Sequence, residues 1–363
     1  DPVTLVFTVE NGTVSVEVDT TAPDLEGYRT FTMADADGYY RPLGRVKTAG
    51  TSLVCDWSAS GAEFVLDCEG DVFVTFDAQG CAGQYLTSFV DGVKCKDIVP
   101  VKGENTYTVA EDLNKGTHTV RIVAQYAKQT GNMNAIKFKG ELGTASLSDT
   151  YVEIIGDSIT CGALLSPSNG DYATAAYAYV AMDALNSDYA ICSKGGQPLS
   201  VPSRASTFYK MFNTGRDDTL YTPSREADII IVNLIVNDNW QWYKQNNNVV
   251  DETGTWSYAN FDAGVAEFFE TLEGIHDMEN TPILFVFGCN TTERSKNFTA
   301  INRLKVLFDE IYYEKYDLKT VTLTGDASAS DGGHPCAEAA QLQGEELTAF
   351  LRENYPTLFP ADT

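Results

Sequence analysis

Hydrophobic residues recur at every second position through the first part of the chain: Val14, Val16 and Val18, then Val72, Val74 and Phe76, then Val120, Ile122 and Ala124. A period of two predicts half-buried strands. Asn11-Gly12, Gly70-Asp71, Asp91-Gly92 and Asn114-Lys115-Gly116 carry turn chemistry between these runs, and no long helical pattern intervenes. Short antiparallel strands packed as a β-sandwich or jelly roll are therefore expected over residues 1–142. The segment Gly140 to Thr150 is small, polar and aperiodic, as a connection between packed units should be.

From residue 150 to 363 the pattern changes. Nearly continuous apolar runs at Tyr151–Ile155, Tyr189–Cys192, Asp228–Val236, Pro282–Phe287 and Thr320–Leu323 read as strands covered on both faces. Between them Tyr172–Asn186, Phe261–Gly274 and Phe298–Tyr316 have helical spacing, and Pro335 opens a last helix running to about Asn354. The expectation is a three-layer α/β unit with a five-stranded parallel sheet, whose chemistry lies in the loops leaving the carboxyl ends of the strands.

Four such loops stand out. The first strand runs into Gly156-Asp157-Ser158-Ile159-Thr160, where a serine at a strand end can present its hydroxyl at the sheet edge with its own N–H free to meet an anion; a helix N-cap is the plainer reading of the same serine. Position 160 is Thr, so the G-x-S-x-G elbow of α/β-hydrolases is absent. The second strand leads to Ser193-Lys194-Gly195-Gly196, and the third to Asn237-Asp238, whose amide could donate to a developing oxyanion or form an Asx turn. After the fifth comes Asp331-Gly332-Gly333-His334, a carboxylate spaced to fold back on one ring nitrogen while the other faces the serine. His118 falls in a strand of the front half and His276 in a helix-to-strand connection, so His334 is the histidine in position to act.

Composition narrows the partners. The chain has 363 residues with 25 Lys plus Arg against 51 Asp plus Glu, a formal charge of −26 that disfavours nucleic acid and anionic membranes. No apolar run approaches the roughly 20 residues that span a bilayer. Eight cysteines lack any C-x-x-C spacing, leaving disulfides open but not suggesting zinc. Asp35-Ala36-Asp37-Gly38 hints at calcium, yet the twelfth position counted from Asp35 is Val46 and not Glu, so neither a metal nor any other cofactor is assigned. Sequons at Asn11, Asn290 and Asn297 point to an extracellular, secreted protein, and a monomer is favoured.

Taken in order, GDSIT, the SKGG glycines, NLIVND and DGGH resemble the blocks of the SGNH or GDSL-type hydrolases over about 151–355. In the front half, Asp56-Trp57-Ser58 with Glu63-Phe64, Lys115–Arg121 (KGTHTVR) and Ile136–Gly140 (IKFKG) resemble the second carbohydrate-esterase family, a jelly roll ahead of an SGNH domain that removes acetyl groups from plant polysaccharides. The resemblance implies Ser158 as nucleophile, His334 as base and Asp331 as its orienting group, although some members use a backbone carbonyl in place of the aspartate. It implies an oxyanion hole from the N–H of Ser158, that of Gly195 or Gly196, and the Asn237 amide. One departure matters: the third block usually reads G-x-N-D, and Ile235 stands in the place of the glycine, which leaves the backbone near Asn237 open. Because the base must be neutral, activity should rise with pH through roughly 6 to 7.

Substrate contacts are expected from Asp157 and from Trp240, Trp242, Tyr243 and Trp256, since aromatic faces beside Asn and Gln suit sugar rings; a loop pinned by its own aromatics would look the same. The substrate class is then an acetylated xylan, mannan or glucan. An aryl or lipase-like esterase on the same scaffold, or a carbohydrate-binding protein with a decayed esterase site, are the competing functions. Cys161 and Cys336, close in sequence to Ser158 and His334, offer a thiol nucleophile, a packing role or a disulfide.

Overall fold

The computed structural model describes residues 4–10, 13–19, 26–79, 85–126, 131–201, 221–238, 257–290, 299–325 and 333–361, the first two segments by their backbone. β1 (Thr4–Glu10) and β2 (Thr13–Asp19) pair antiparallel. The next nine strands form one hydrogen-bonded antiparallel sheet. They are β3 (Tyr28–Thr32), β4 (Arg41–Leu43), β5 (Val46–Ala49), β6 (Ser52–Cys55), β7 (Ser60–Ala78), β8 (Leu86–Val90), β9 (Val93–Ile98), β10 (Gly103–Ala124) and β11 (Gly131–Gly143). The central path runs β6, β11, β7, β10, β8, a jelly-roll-like arrangement around a core that includes Phe64, Val72, Val74, Phe76, Val120, Ile122 and Phe138.

Most strands are short as expected, but two run straight through expected turns. β7 runs for 19 residues straight through Gly70-Asp71, and β10 runs for 22 through Asn114-Lys115-Gly116. These segments are not turns: the register between β7 and β10 shifts at Ala110, Leu113 and Gly116, so the extra residues are absorbed as bulges that bend both strands. Asp91-Gly92, with φ of 50° and 78°, makes the expected tight hairpin between β8 and β9, and Asn11-Gly12 lies outside the described residues.

The second unit has a fully parallel sheet in the order β13 (Asp188–Ser193), β12 (Tyr151–Gly156), β14 (Ile229–Asn233), β15 (Ile283–Phe287), β16 (Leu318–Thr322). All five expected strands are present, and four of them are buried on both faces along their length. The third is shorter than its apolar run: β14 stops at Asn233, and Val236–Asp238 begin a helical turn. Around the sheet lie α1 (Tyr177–Ala184), α2 (Tyr258–Glu273), α3 (Thr299–Leu307), continued by a π-turn at Phe308–Tyr312, and α4 (Ala337–Asn354). Because β13 lies on one side of β12 and β14 on the other, the chain reverses direction across the sheet there, and the carboxyl ends of β12 and β14 border the crevice where such sheets bind ligands.

The two units share a core. Leu43, Trp57, Ala59 and Val123 from the antiparallel part pack in the same cluster as the parallel sheet. Buried ion pairs cross the junction, Arg41 to Asp188 at 2.5 Å and Arg45 to Glu153 at 3.3 Å. Arg121 reaches both Asp183 and the phenol of Tyr179 on α1.

Candidate active site

At the end of β12, Gly156 meets the side chain of Thr160 so closely that a Cβ there would lie 2.0 Å from Thr160 Oγ1. That approach folds the chain back at once. Cys161 N–H bonds to Asp157 O and Ala163 N–H to Ser158 O, so residues 158–164 are successive turns and not the helix an N-cap serine would need. Ser158 is left half-buried at the crevice. His334, just ahead of α4, places Nε2 2.7 Å from Ser158 Oγ, a distance at which a neutral imidazole accepts the hydroxyl proton. Residues 176 positions apart in sequence thus meet, which the strand-end spacing predicts.

The glycine loop after β13 comes to the same place. An added Cβ on Gly195 would sit 3.8 Å from Ser158 Cβ, whereas one on Gly196 would meet nothing within 4 Å. Gly196 has φ of +75° and supplies the turn. Gly195 is therefore the glycine beside the serine. Among the described residues, neither the Ser158 nor the Gly195 N–H has a protein acceptor, so two backbone donors stand free next to the hydroxyl.

Two expected roles change. The amide of Asn237 does not point freely at the serine: its Nδ2 donates to Asp157 Oδ2 at 2.8 Å and to Gln197 O at 3.1 Å, so its two hydrogens already have protein acceptors. Asp157, expected to touch substrate, is enclosed at 1 % exposure. Its Oδ1 accepts from Ile159 N–H at 3.0 Å and its Oδ2 from Asn237, which leaves no face for a sugar. Burial pushes the Asp157 carboxyl up to about 7, the Ile159 N–H opposing and the charge of Asp238 reinforcing the shift.

Asp238 is a participant that sequence reasoning passed over. It is fully enclosed and accepts from Leu199 N–H and Ser200 N–H, each at 2.7 Å, and from the Ser200 hydroxyl. Burial raises it to about 6 against those donors. Its adjacency to Asn237 was the available signal, since a second acid in a strand-end loop must find donors once buried. On the other side, α2 carries Gly264 where a Cβ would fall 1.8 Å from Ser200 O, so the helix backs directly onto this loop.

Ile235 settles the departure in the third block. Its φ is +136°, in the region that favours glycine, and its side chain is wholly buried. The backbone keeps a glycine-like conformation despite the substitution, at a strain on the order of 1–3 kcal/mol that the surrounding core must hold.

The thiols stand apart. Cys161 is buried with Sγ 3.3 Å from Ser193 Oγ, and burial pushes its thiol well up, the opposite of a reactive cysteine. It and Cys336 are both free, so they form no disulfide with each other. Asn290 is 1 % exposed, which closes that sequon to a glycan. His118 bonds Asp91 and Asn114 O on the antiparallel sheet and His276 bonds Glu226, both remote in sequence from the strand-end loops. Asp331, Trp240, Trp242, Tyr243 and Trp256 lie outside the described residues.

Comparison with known proteins agrees with this architecture. Residues 42–148 match the model of the carbohydrate esterase 2 N-terminal domain. No curated protein matches the sequence. Among solved structures, an acetyl xylan esterase (Est2A) from the rumen bacterium Butyrivibrio proteoclasticus superposes with a TM-score of 0.76 at 17 % identity, covering 90 % of this chain and 99 % of that one. A family two carbohydrate esterase from Clostridium thermocellum, in complex with cellohexaose, gives 0.74 at 17 % identity over 87 % of this chain and 98 % of that one. The salicylyl-acyltransferase SsfX3 from a tetracycline biosynthetic pathway shares the fold at 0.65 and 12 % identity, covering 92 % and 99 %. Residues 42–148 are thus similar to the carbohydrate esterase 2 N-terminal domain, and the chain shares with solved family 2 carbohydrate esterases the fold of an antiparallel domain followed by a five-stranded parallel sheet.

Proposed function

We propose that the protein is a serine esterase that removes O-acetyl groups from plant cell-wall polysaccharides or their oligosaccharides. The observation that carries this reading is the 2.7 Å contact between Ser158 Oγ and His334 Nε2 beside two free backbone N–H groups at the switch point of the sheet. In the proposed reaction Ser158 Oγ attacks the acetyl carbonyl as its proton passes to His334 Nε2. The N–H groups of Ser158 and Gly195 hold the oxyanion, and as the ester C–O bond breaks the protonated imidazole gives its proton to the departing sugar oxygen, which leaves as a hydroxyl. Water, deprotonated by the same nitrogen, then releases acetate from the acyl-serine. Asp331 takes the role of holding the far ring nitrogen, and Trp240, Trp242, Tyr243 and Trp256 that of the sugar platform.

The substrate class rests on the neighbours: one is named for acetyl xylan, and another holds cellohexaose. A polymeric substrate is met outside the cell, so the proposal includes an extracellular protein; a monomer, with residues 1–142 as a wall to a catalytic unit of residues 150–363, is part of the same proposal. A chromogenic acetate ester tests the chemistry. Ser158→Ala should retain well under a few per cent of turnover, and retention above that level contradicts the mechanism. Replacing Trp240 or Trp242 by Ala should raise KM for acetylated oligosaccharide far more than for a small aryl acetate; equal effects would mean that these aromatics pin their own loop and do not bind sugar.

A further inference from the structure

The two free N–H groups belong to different loops, one after β12 and one after β13, yet an oxyanion site demands that both aim at one point within about 0.5 Å. The loops touch through a bond from Lys194 N–H to Gly156 O at 3.2 Å, upstream of both donors. What ties them at the donors themselves is the Asn237 side chain from a third loop. Its Nδ2 reaches Asp157, the residue before Ser158, and Gln197 O, two residues past Gly195. Asp238 pins the far end of the same glycine loop through Leu199 and Ser200.

We infer that Asp157 is a positioning residue: its enclosed carboxylate, acting through the Asn237 amide, holds the Gly195–Gln197 turn in register with the Ser158 N–H. The inference rests on the esterase reading and deepens it. A neutral acceptor would satisfy Ile159 N–H and Asn237 just as fully in number, and at far lower desolvation cost than an ion. A carboxylate does what a neutral group does not, drawing the amide with a charge-assisted bond about twice as strong. The titratable groups facing Asp157 are Asp238 from the loop after β14 and Cys161 from its own loop, with His334 beyond Ser158. None of these supplies a fixed cation. Protonation of Asp157 therefore weakens the brace, and the acid limb of kcat/KM should take up two protons, one on His334 and one on Asp157.

The experiment compares the intact protein with Asp157→Asn, Asn237→Ala, the double variant and Ser158→Ala on a small aryl acetate, with thermal unfolding followed for each. Asp157→Asn should lower kcat by about 10–100-fold with KM within about twofold, reduce the acid limb to a single proton, and cost less than about twofold more when Asn237 is already Ala. Unchanged kcat, a two-proton limb in the variant, or fully additive losses would each overturn the inference. If Asp157→Asn does not fold, Asn237→Ala alone decides: it should show the same kcat loss and a one-proton limb, and a two-proton limb overturns the proposal. An active Ser158→Ala would instead sink the esterase reading, whereas an inactive Ser158→Ala beside a fully active Asp157→Asn refutes only the positioning role.

Discussion

Buried carboxylates occur in two places in this molecule, and they are treated in opposite ways. At the junction of the two units, Asp188 meets Arg41 and Arg225, Glu153 meets Arg45, and Glu63 meets Arg121. Beneath the Ser158–His334 contact, Asp157 and Asp238 are as deeply enclosed, but among the described residues they meet only N–H and hydroxyl donors and repel each other. The junction compensates charge with charge, which locks two surfaces together. The site gives its acids no cation, and burial raises them to about 7 and about 6, which marks the place where protonation state and geometry govern function. Stability should therefore reside in the first network and turnover in the second.

The largest effect that could break this contrast is at the base. His334→Ala should lower turnover by about 10³-fold or more, equivalent to about 4 kcal/mol of barrier, while moving the urea midpoint little. A large loss of stability in that variant would mean that the site also holds the fold. The converse variant is Arg45→Met at the junction. It strands Glu153 without its guanidinium and should cost about 3 kcal/mol in urea unfolding, with kcat per folded molecule retained. Loss of kcat there, with stability intact, would reverse the assignment of the two networks.

A smaller and more diagnostic effect is pH. Asp157 and Asp238 have folded-state values raised to about 7 and about 6, above the usual aspartate range, so the native state binds protons that the unfolded chain does not between about pH 7 and 4. Their contribution makes the protein more stable as pH falls through that window, while activity declines. Unfolding curves at pH 5 and 8, compared with Asp157→Asn, should show that part of the gain disappear in the variant. The smallest effect belongs to His118, whose protonated form is favoured by Asp91 and Asn114 O and which clips the Asp91-Gly92 hairpin to the bulge in β10. Its stabilisation is present below the ordinary histidine range and lost as pH rises through its raised value. His118→Gln should therefore lower Tm slightly at pH 5.5 and not at pH 9.

The parallel sheet was readable in the sequence because strands covered on both faces are apolar at nearly every position, and Tyr151–Ile155 and Pro282–Phe287 are short, nearly continuous runs of that kind. The strand-end rule then brought Ser158 and His334 to one crevice. Gly70-Asp71 and Asn114-Lys115-Gly116 misled because turn residues also serve bulges, and only the partner strand decides between the two. Asp157 misled for a similar reason. The residue type announces chemistry, but whether its carboxylate faces substrate or an asparagine from another loop is a tertiary fact. Ile235 shows the limit from the other side, since a missing glycine suggested a changed backbone where the core in fact holds an isoleucine at φ +136°.

The central claim is best tested by acetate release from acetylated xylan, mannan and glucan oligomers, measured side by side for the intact protein and a folded Ser158→Ala. The account predicts acetate from at least one of these polymers with the intact protein and essentially none with the variant. Carbohydrate binding without acetate release, or equal release by both proteins, would contradict it.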